Sequence, residues 1–166
     1  MVDSEEPVQD SLQVHDVGHG VPDTGCARGV VGDNTLEQHL EVCRKRGLSI
    51  RELPHDEPFW FRFGNGQCLK SIRRVEVECR VGGKKVKLRT HVVKGNTPLL
   101  LSKGMMKQLG AVLDLGKDSM ALQKLDITIP LDRSKSGNYQ VNLCDPDPQD
   151  VDRSDALILS DLEDFQ

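Results

Sequence analysis

Three adjacent residues of this chain, Asp23, Thr24 and Gly25, combine a carboxylate, a hydroxyl and the smallest residue in one short run. A carboxylate presented on a tight turn can take a proton from water or donate one to a reacting group. The run is therefore the chain's first candidate for acid–base chemistry. Because such a run also occurs by chance in many turns, its interpretation depends on the elements that surround it.

A single aspartate is not sufficient for metal-free hydrolysis of a peptide. One carboxyl group must take a proton from water while another donates one to the scissile carbonyl. Two carboxyl groups close enough to act on the same peptide bond share one proton, because their like charges resist joint ionisation. The chain has one Asp-Thr-Gly, and Asp114-Leu115-Gly116 lacks the hydroxyl residue. We therefore expect the second aspartate to come from another copy, in a two-fold homodimer.

A glycine-rich hairpin signal lies downstream of this motif. Phe59, Phe61 and Phe63 alternate with other residues before Gly64-Asn65-Gly66 reverses the chain toward Cys68. Glycine allows unusual backbone angles, and a small tip lets a loop open for a peptide and close over it. The segment is either a lid of this kind or an ordinary hairpin turn. The aromatic residues could support the lid, contact a peptide, or simply pack in the core.

Alternation and turn residues predict the longest strands. Apolar and charged residues alternate over 75–81 and again over 86–92, on either side of Gly82-Gly83, which predicts a well-specified hairpin. Its basic residues indicate a solvated sheet face, with nucleic-acid contact as the alternative. Further short strands are expected over 112–115, 127–131 and 139–143.

Two short helices are also expected. Residues 34–37 resemble a capping box, and Leu36, Leu40 and Cys43 follow at helical spacing, which predicts an amphipathic helix near 35–46. Met105, Met106 and Leu109 predict a second helix that ends at Gly110. The chain is thus predicted to be mainly antiparallel β with two short helices.

Together these segments resemble a retroviral-type aspartic protease, a retropepsin, most nearly those in the polyproteins of LTR retrotransposons. The similarity extends from Asp23 to Leu115, more than half of the chain. The segments that carry it are Asp23-Thr24-Gly25, Phe61 to Gln67, the hairpin from Val75 to Val93, and the apolar run Pro98 to Leu101 followed by Ser102 to Gly110.

The resemblance implies a fold, a reaction and a site. The fold would be a retropepsin-like acid protease half-barrel with closed antiparallel sheets, a flap hairpin and two short helices. The reaction would be cleavage of extended polypeptide or polyprotein substrates by a homodimer. The catalytic residues would be Asp23, which acts as acid and base, Thr24, which would link the two loops across the dimer axis, and Gly25; the substrate-binding flap would be Phe63, Gly64, Asn65, Gly66 and Gln67.

Three features of the sequence depart from the family pattern. Val21-Pro22 stands before Asp23, where two bulky apolar residues are usual, and Pro22 removes a backbone donor beside the turn. Ser102 occupies a position where many members have glycine. The segment between Asp23 and Gly64 is longer than in compact viral enzymes. The alternative to an active protease is a fold that has lost catalysis and serves as a dimerisation or peptide-binding module.

Composition and charge limit the functional classes and the domain organisation that the chain can have. The 166 residues carry 22 Lys and Arg against 26 Asp and Glu, a net charge of -4, so no dedicated nucleic-acid binder is indicated. Residues 1–11 are expected to be a disordered acidic N-terminus, 12–143 the protease domain, and 144–166 an acidic linker or tail. With no apolar run of membrane length and no signal-peptide pattern, a cytoplasmic location and no membrane partner are expected.

The cysteines and histidines predict no metal site. The five cysteines form no Cys-x-x-Cys pair, so neither a disulfide framework nor a zinc knuckle is indicated and reduced thiols are expected. His15 and His19 have ligand-like spacing, but Gly18 and Gly20 argue against a helix there. Cys26 follows the motif as a small filler, not as a nucleophile. No cofactor is expected.

Overall fold

The computed structural model describes residues 16–146 and 156–161, so the expected disorder of residues 1–11 lies outside the described residues. In these ranges it has two helices and a set of short strands around two long ones, which confirms a mainly β fold with two short helices. In chain order the elements are β1 (His19–Pro22), β2 (Val30–Gly32), α1 (Asp33–Lys45), β3 (Ile50–Leu53), β4 (Trp60–Arg62), β5 (Cys68–Lys70), β6 (Arg73–Val81), β7 (Lys84–Val93), β8 (Leu99–Leu101), α2 (Lys103–Leu109), β9 (Ala111–Asp114), β10 (Ser119–Leu122), β11 (Ile127–Pro130), β12 (Asp132–Arg133), β13 (Tyr139–Asn142) and β14 (Leu157–Leu159).

Most strands belong to one large sheet. Its order is β12-β13-β1-β8-β2-β7-β6-β3, and β14 also pairs with β7. A three-stranded sheet, β11-β10-β9, and the two-stranded sheet β4-β5 are antiparallel throughout. The large sheet is mixed, because β1 with β8, β2 with β7, and β14 with β7 run parallel. The sequence predicts mainly antiparallel pairing, and these three parallel pairs could not be predicted from it, because alternation within one strand does not specify the direction of its partner.

The long hairpin of β6 and β7 is confirmed. Gly82 and Gly83 both have positive φ, 56° and 82°, which is the geometry of a two-residue primed turn. One face of each strand is fully buried, with Val75, Val77 and Leu88 at 0 % exposure. These side chains form the centre of the core, so the hairpin organises the sheet around it.

The other face of β6 is less solvated than its charged residues indicate. Glu76 and Arg80 are only 5 % and 6 % exposed. Glu76 accepts hydrogen bonds from Nε of Arg89 at 2.9 Å and from Arg51 at 3.2 Å. Arg80 donates to the carbonyl of Asp145 at 3.1 Å. Pairing with the neighbouring strands and loops therefore covers a face that the sequence alone assigns to solvent.

Helix α1 forms as predicted, but it begins two residues earlier and without the expected capping box. Its N-cap is Gly32, which has no side chain to cap with, and Asp33 accepts a hydrogen bond from the N–H of Gly95 at 2.8 Å. The predicted apolar stripe is buried, and His39 is buried with it. At this helix start the N–H of Asn34 donates to the carbonyl of Gly95 at 3.0 Å, so a tertiary contact satisfies a first-turn N–H in place of a side-chain cap.

Helix α2 ends as predicted, because Gly110 adopts the left-handed conformation with φ of 62°. Its start depends on Ser102, whose hydroxyl accepts a hydrogen bond from the N–H of Met105 at 3.3 Å. The two described helices have 13 and 7 residues. Neither has the length and apolar character required to cross a membrane.

Strand β14 extends the fold past residue 143, the end of the domain expected from the sequence. Leu157, Ile158 and Leu159 pair in parallel with residues 86–88 of β7. The N–H of Ser160 donates to Oε1 of Gln108 at 3.2 Å, which holds the segment against α2. Apolar residues in an otherwise acidic tail can occupy the free edge of a long strand, and that edge is present only in the folded sheet.

Candidate active site

Asp23 lies at the start of the loop that joins β1 to β2, here called the Asp23 loop (residues 23–29). Strand β8 runs between these two strands, parallel to β1 and antiparallel to β2. The N–H of Asp23 donates to the carbonyl of Leu101 at 3.0 Å, and the N–H of Lys103 donates to the carbonyl of Cys26 at 3.0 Å. The loop is therefore attached by backbone bonds to the end of β8 and the start of α2.

The Asp23 side chain also shapes its own turn. Oδ1 of Asp23 accepts a hydrogen bond from the N–H of Gly25 at 3.0 Å, and the backbone carbonyl of Asp23 accepts one from the N–H of Cys26 at 3.1 Å. A Cβ at Gly25 would lie 3.3 Å from the same Oδ1, which is a tight contact. Asp23 is half-buried, whereas Thr24 and Gly25 are exposed. The turn thus orients the carboxylate and leaves the next two residues accessible.

Pro22 is compatible with this arrangement. The N–H of Asp23 points to β8, and successive N–H groups of a strand point to opposite sides. The donor that Pro22 lacks would therefore face β13, and the pairing of β1 with β13 extends only over His19 and Gly20. Proline at this end of a strand removes no bond from the ladder.

Cys26 has the properties of a packed thiol. The pKa of the Cys26 thiol is raised to about 11, mainly because the thiol is buried. Its hydrogen bond to the Arg28 backbone lowers the pKa, and the charges of Asp23 and Asp161 raise it. Its Sγ donates to the carbonyl of Arg28 at 2.7 Å. A thiol with such a pKa is protonated at neutral pH and is a poor nucleophile. This agrees with the interpretation of Cys26 as a filler beside the motif.

Asp161 supports the Asp23 loop from the C-terminal segment. Its Oδ1 accepts hydrogen bonds from the N–H of Gly29 at 3.0 Å and from the hydroxyl of Ser102 at 3.1 Å. Asp161 is 3 % exposed, and Ser102 is fully buried. Sequence reasoning missed this residue, because no motif links it to a loop 132 positions earlier. The serine that departs from the family pattern is one partner of this contact.

The predicted flap forms a hairpin, here called the tip hairpin (residues 60–70). Its strands pair Trp60 with Lys70 and Phe61 with Leu69. The tip is a turn that continues into a left-handed glycine: the N–H of Gly66 donates to the carbonyl of Phe63 at 2.9 Å, and Gly66 has φ of 85°. Phe63 is half-buried, and the exposed residues of the tip are Gly64, Asn65, Gly66 and Gln67.

The tip hairpin and the Asp23 loop share one apolar cluster. Phe61 is 7 % exposed, and its ring centre lies 4.8 Å from that of Phe59 in an edge-to-face arrangement. Trp60 points to the other side of the hairpin and is 63 % exposed. The buried members of the cluster are Val30, Phe61 and Val93, and the half-buried members are Cys26, Phe59, Phe63, Leu69 and Leu100. The structure therefore brings two of the sequence-predicted segments together.

A polar cavity of about 360 Å³ borders the Asp23 loop on its Arg28 side. The guanidinium of Arg28 lies 4.4 Å from the centre of the Phe59 ring, a cation–π contact that links the loop to the base of the tip hairpin. His55 contributes an imidazole whose Nε2 lies 2.8 Å from Oγ of Ser71. The cavity is lined by Arg28, Pro54, His55, Asp56, Glu57, Arg74 and His91.

The second Asp-x-Gly run has a different position. Asp114 ends β9 in the three-stranded sheet, and its Oδ1 accepts a hydrogen bond from the N–H of Lys117 at 3.1 Å. Strand β9 pairs with β10, not with the strands that hold the Asp23 loop. Asp114 therefore belongs to a separate turn.

Comparison with solved structures finds similarity to the retroviral protease-like domain of Ddi1 from Leishmania major. The two chains are 15 % identical, with a TM-score of 0.45, and the match covers 67 % of this chain and 81 % of that one. No protein-family model and no curated protein matches the sequence.

Proposed function

We propose that this protein is an aspartic endopeptidase that acts as a homodimer, with one Asp23 from each copy. One observation carries the proposal: the loop that presents Asp23 and the hairpin with the exposed glycine tip pack on the same apolar cluster. An acid on a supported turn and a loop that can cover it are the parts that peptide hydrolysis requires.

The proposed chemistry assigns a role to each part. The two Asp23 carboxyl groups share one proton; one takes a proton from water while the other donates to the scissile carbonyl. Thr24 and Gly25 are exposed, so both are available to the second copy or to substrate. The dimer supplies the second carboxylate that a single chain, with one such motif, lacks.

The proposed substrate is an extended polypeptide. The strands of the tip hairpin pair only with each other in the described residues, so a bound peptide can add to their outer edges. Closure of the exposed tip would exclude water other than the nucleophile. By the resemblance described above, the natural substrate would be a polyprotein of a retroelement, or a host protein if the chain has a descendant role.

The decisive test compares Asp23→Asn with Asp114→Asn. An asparagine at position 23 can still accept the hydrogen bond from Gly25, so the loop should keep its shape while the acid is lost. The Asp114 variant is a matched control, because that residue also begins a turn whose backbone N–H donates to its carboxylate. Incubated with apolar peptides or a polyprotein fragment at mildly acid pH, the Asp23 variant should lose turnover and the Asp114 variant should keep it.

Mixing separates a shared site from a self-contained one. Wild type and Asp23→Asn are mixed in equal amounts and allowed to exchange subunits. With random pairing, the mixture should keep about half of the activity that its wild-type portion has alone, because mixed dimers contain one Asp23 carboxylate instead of two. Unchanged activity would argue against a shared site. If the wild-type dimer binds peptides without turnover, the domain is a peptide-binding module. Turnover that survives Asp23→Asn would remove the site assignment.

A further inference from the structure

Three side chains with metal-ligating atoms meet inside the fold, apart from the Asp23 loop. His39 and Cys43 lie one turn apart on α1, so they share a face of the helix. Cys144 follows β13 and reaches the same place from a position 101 residues after Cys43. Their ligand atoms all lie within 4.8 Å of one another, and all three residues are buried. The fold thus creates a buried cluster of two sulfurs and one imidazole.

Two of the three distances in this cluster are close to those between ligands of one tetrahedral zinc ion. With Zn–S of about 2.3 Å and Zn–N of about 2.0 Å, two sulfurs of such a site lie about 3.8 Å apart, and a sulfur and a nitrogen about 3.5 Å apart. Sγ of Cys43 lies 3.7 Å from Sγ of Cys144, which in turn lies 3.9 Å from Nε2 of His39. The two sulfurs already have this spacing, and the imidazole, whose ligand atom lies within 4.8 Å of both, would move closer to them to bind the ion.

We propose that His39, Cys43 and Cys144 bind a zinc ion. On binding, the two thiols release their protons to solvent, and the neutral imidazole coordinates through Nε2. The two thiolate charges cancel the charge of Zn²⁺, so the buried site gains no net charge. The three residues supply three of the four ligands of a tetrahedral zinc ion.

The site would have a structural role, separate from the proposed endopeptidase chemistry. It would join α1 to the chain segment that follows β13, so it closes a long loop across the core. Cys79 is also fully buried, but its Sγ donates to the carbonyl of Val77 at 3.7 Å and it is not part of the ligand set. Cys68 is exposed and Cys26 lies in the Asp23 loop, away from the cluster, so both serve as controls.

The test uses the full chain, reduced and freed of metal by chelation. After incubation with Zn²⁺ and gel filtration, metal analysis should give one zinc per chain, and the melting temperature should rise with Zn²⁺ concentration. Replacement of zinc by Co²⁺ should give the absorption of a tetrahedral ion with a thiolate-to-cobalt charge-transfer band. These measurements use the wild-type protein alone, so they test the proposal even if a substitution in the core prevents folding.

Variants then identify the ligands. His39→Gln, Cys43→Ser and Cys144→Ser should each weaken zinc binding by at least about tenfold, whereas Cys26→Ser and Cys68→Ser should leave it unchanged. Absence of the charge-transfer band in the wild type overturns the proposal, as does zinc that stays bound in the three ligand variants. A reduced protein that binds no zinc but forms a Cys43–Cys144 disulfide on oxidation overturns it too, and assigns the pair to redox chemistry.

Discussion

The carboxylate of Asp161 accepts a hydrogen bond from the hydroxyl of Ser102 at 3.1 Å, and both side chains are buried. The same oxygen accepts the N–H of Gly29, so the C-terminal segment holds together the end of the Asp23 loop and the start of α2. A residue far from the motif in sequence thus positions the loop that carries it.

Asp161→Ala should destabilise the protein by about 2 kcal/mol, because it leaves buried donors of Gly29 and Ser102 without their acceptor. Asp161→Asn should cost less, since its amide oxygen can still accept. Urea denaturation would give both values. Glu37→Ala, at an exposed position of α1, serves as the control and should change the free energy of unfolding little. Equal effects of the alanine substitutions at 161 and 37 would contradict the support role.

Glu76 should make stability fall at acid pH. Burial by itself would raise the pKa of Glu76, but the hydrogen bonds and charges of Arg89 and Arg51 outweigh it, so the pKa lies below the ordinary value of 4.5. A lowered folded-state pKa gives stability that is present above the unfolded pKa and is lost as pH falls through the folded one.

The measurement is the free energy of unfolding from pH 7 down to below pH 4.5, for wild type and Glu76→Gln. At neutral pH the variant should be less stable by about 2 kcal/mol, because it loses charged hydrogen bonds. The difference should shrink as the pH falls below 4.5. A difference that is constant across the range would show that Glu76 contributes through packing instead of charge.

Gly32 should tolerate no side chain. A Cβ at this position would lie 2.4 Å from the carbonyl oxygen of Gly95 and 2.6 Å from the N of Thr97, and both are backbone atoms that cannot rotate away. Gly32→Ala should therefore cost about 3 kcal/mol. Gly116→Ala is the matched control, since that glycine is exposed and its nearest contact would be a carboxylate oxygen at 3.4 Å. Thermal denaturation of the two variants would compare them.

Alanine substitutions at Gly66 and Gly64 should differ in their effect on the conformation of the tip and on peptide turnover. Neither position has a neighbour within 4 Å of an added Cβ, but Gly66 has φ of 85°, where alanine is strained by about 1 kcal/mol. If the tip covers substrate, Gly66→Ala should lower kcat/KM severalfold, and Gly64→Ala should change it less. Peptide turnover measured alongside the melting temperature would separate this effect from global unfolding. Equal kcat/KM in the two variants would count against a role of the tip geometry.

The sequence alone specifies the elements that depend on interactions between residues close together in the chain. Alternation on either side of Gly82-Gly83 specifies the β6–β7 hairpin, because side chains of a strand alternate between core and solvent and paired glycines accept the primed turn. Gly110 likewise marks the end of α2. The Asp-Thr-Gly run and the glycine-rich tip are visible for the same reason, since a turn is encoded by adjacent residues.

Only the tertiary structure decided how distant segments meet. The bond of Asp161 to the Asp23 loop, the pairing of β14 with β7, the bond of Arg51 to Glu76 and the contact of Cys144 with His39 and Cys43 all join segments that are separate in the chain. His39 and Cys43 have a ligand-like spacing on a predicted helix, but Cys144 has no sequence signal that points to them. Such contacts depend on the order and direction of the strands. These are set by the packing of distant segments against one another, and the periodicity of a single segment carries no information about them.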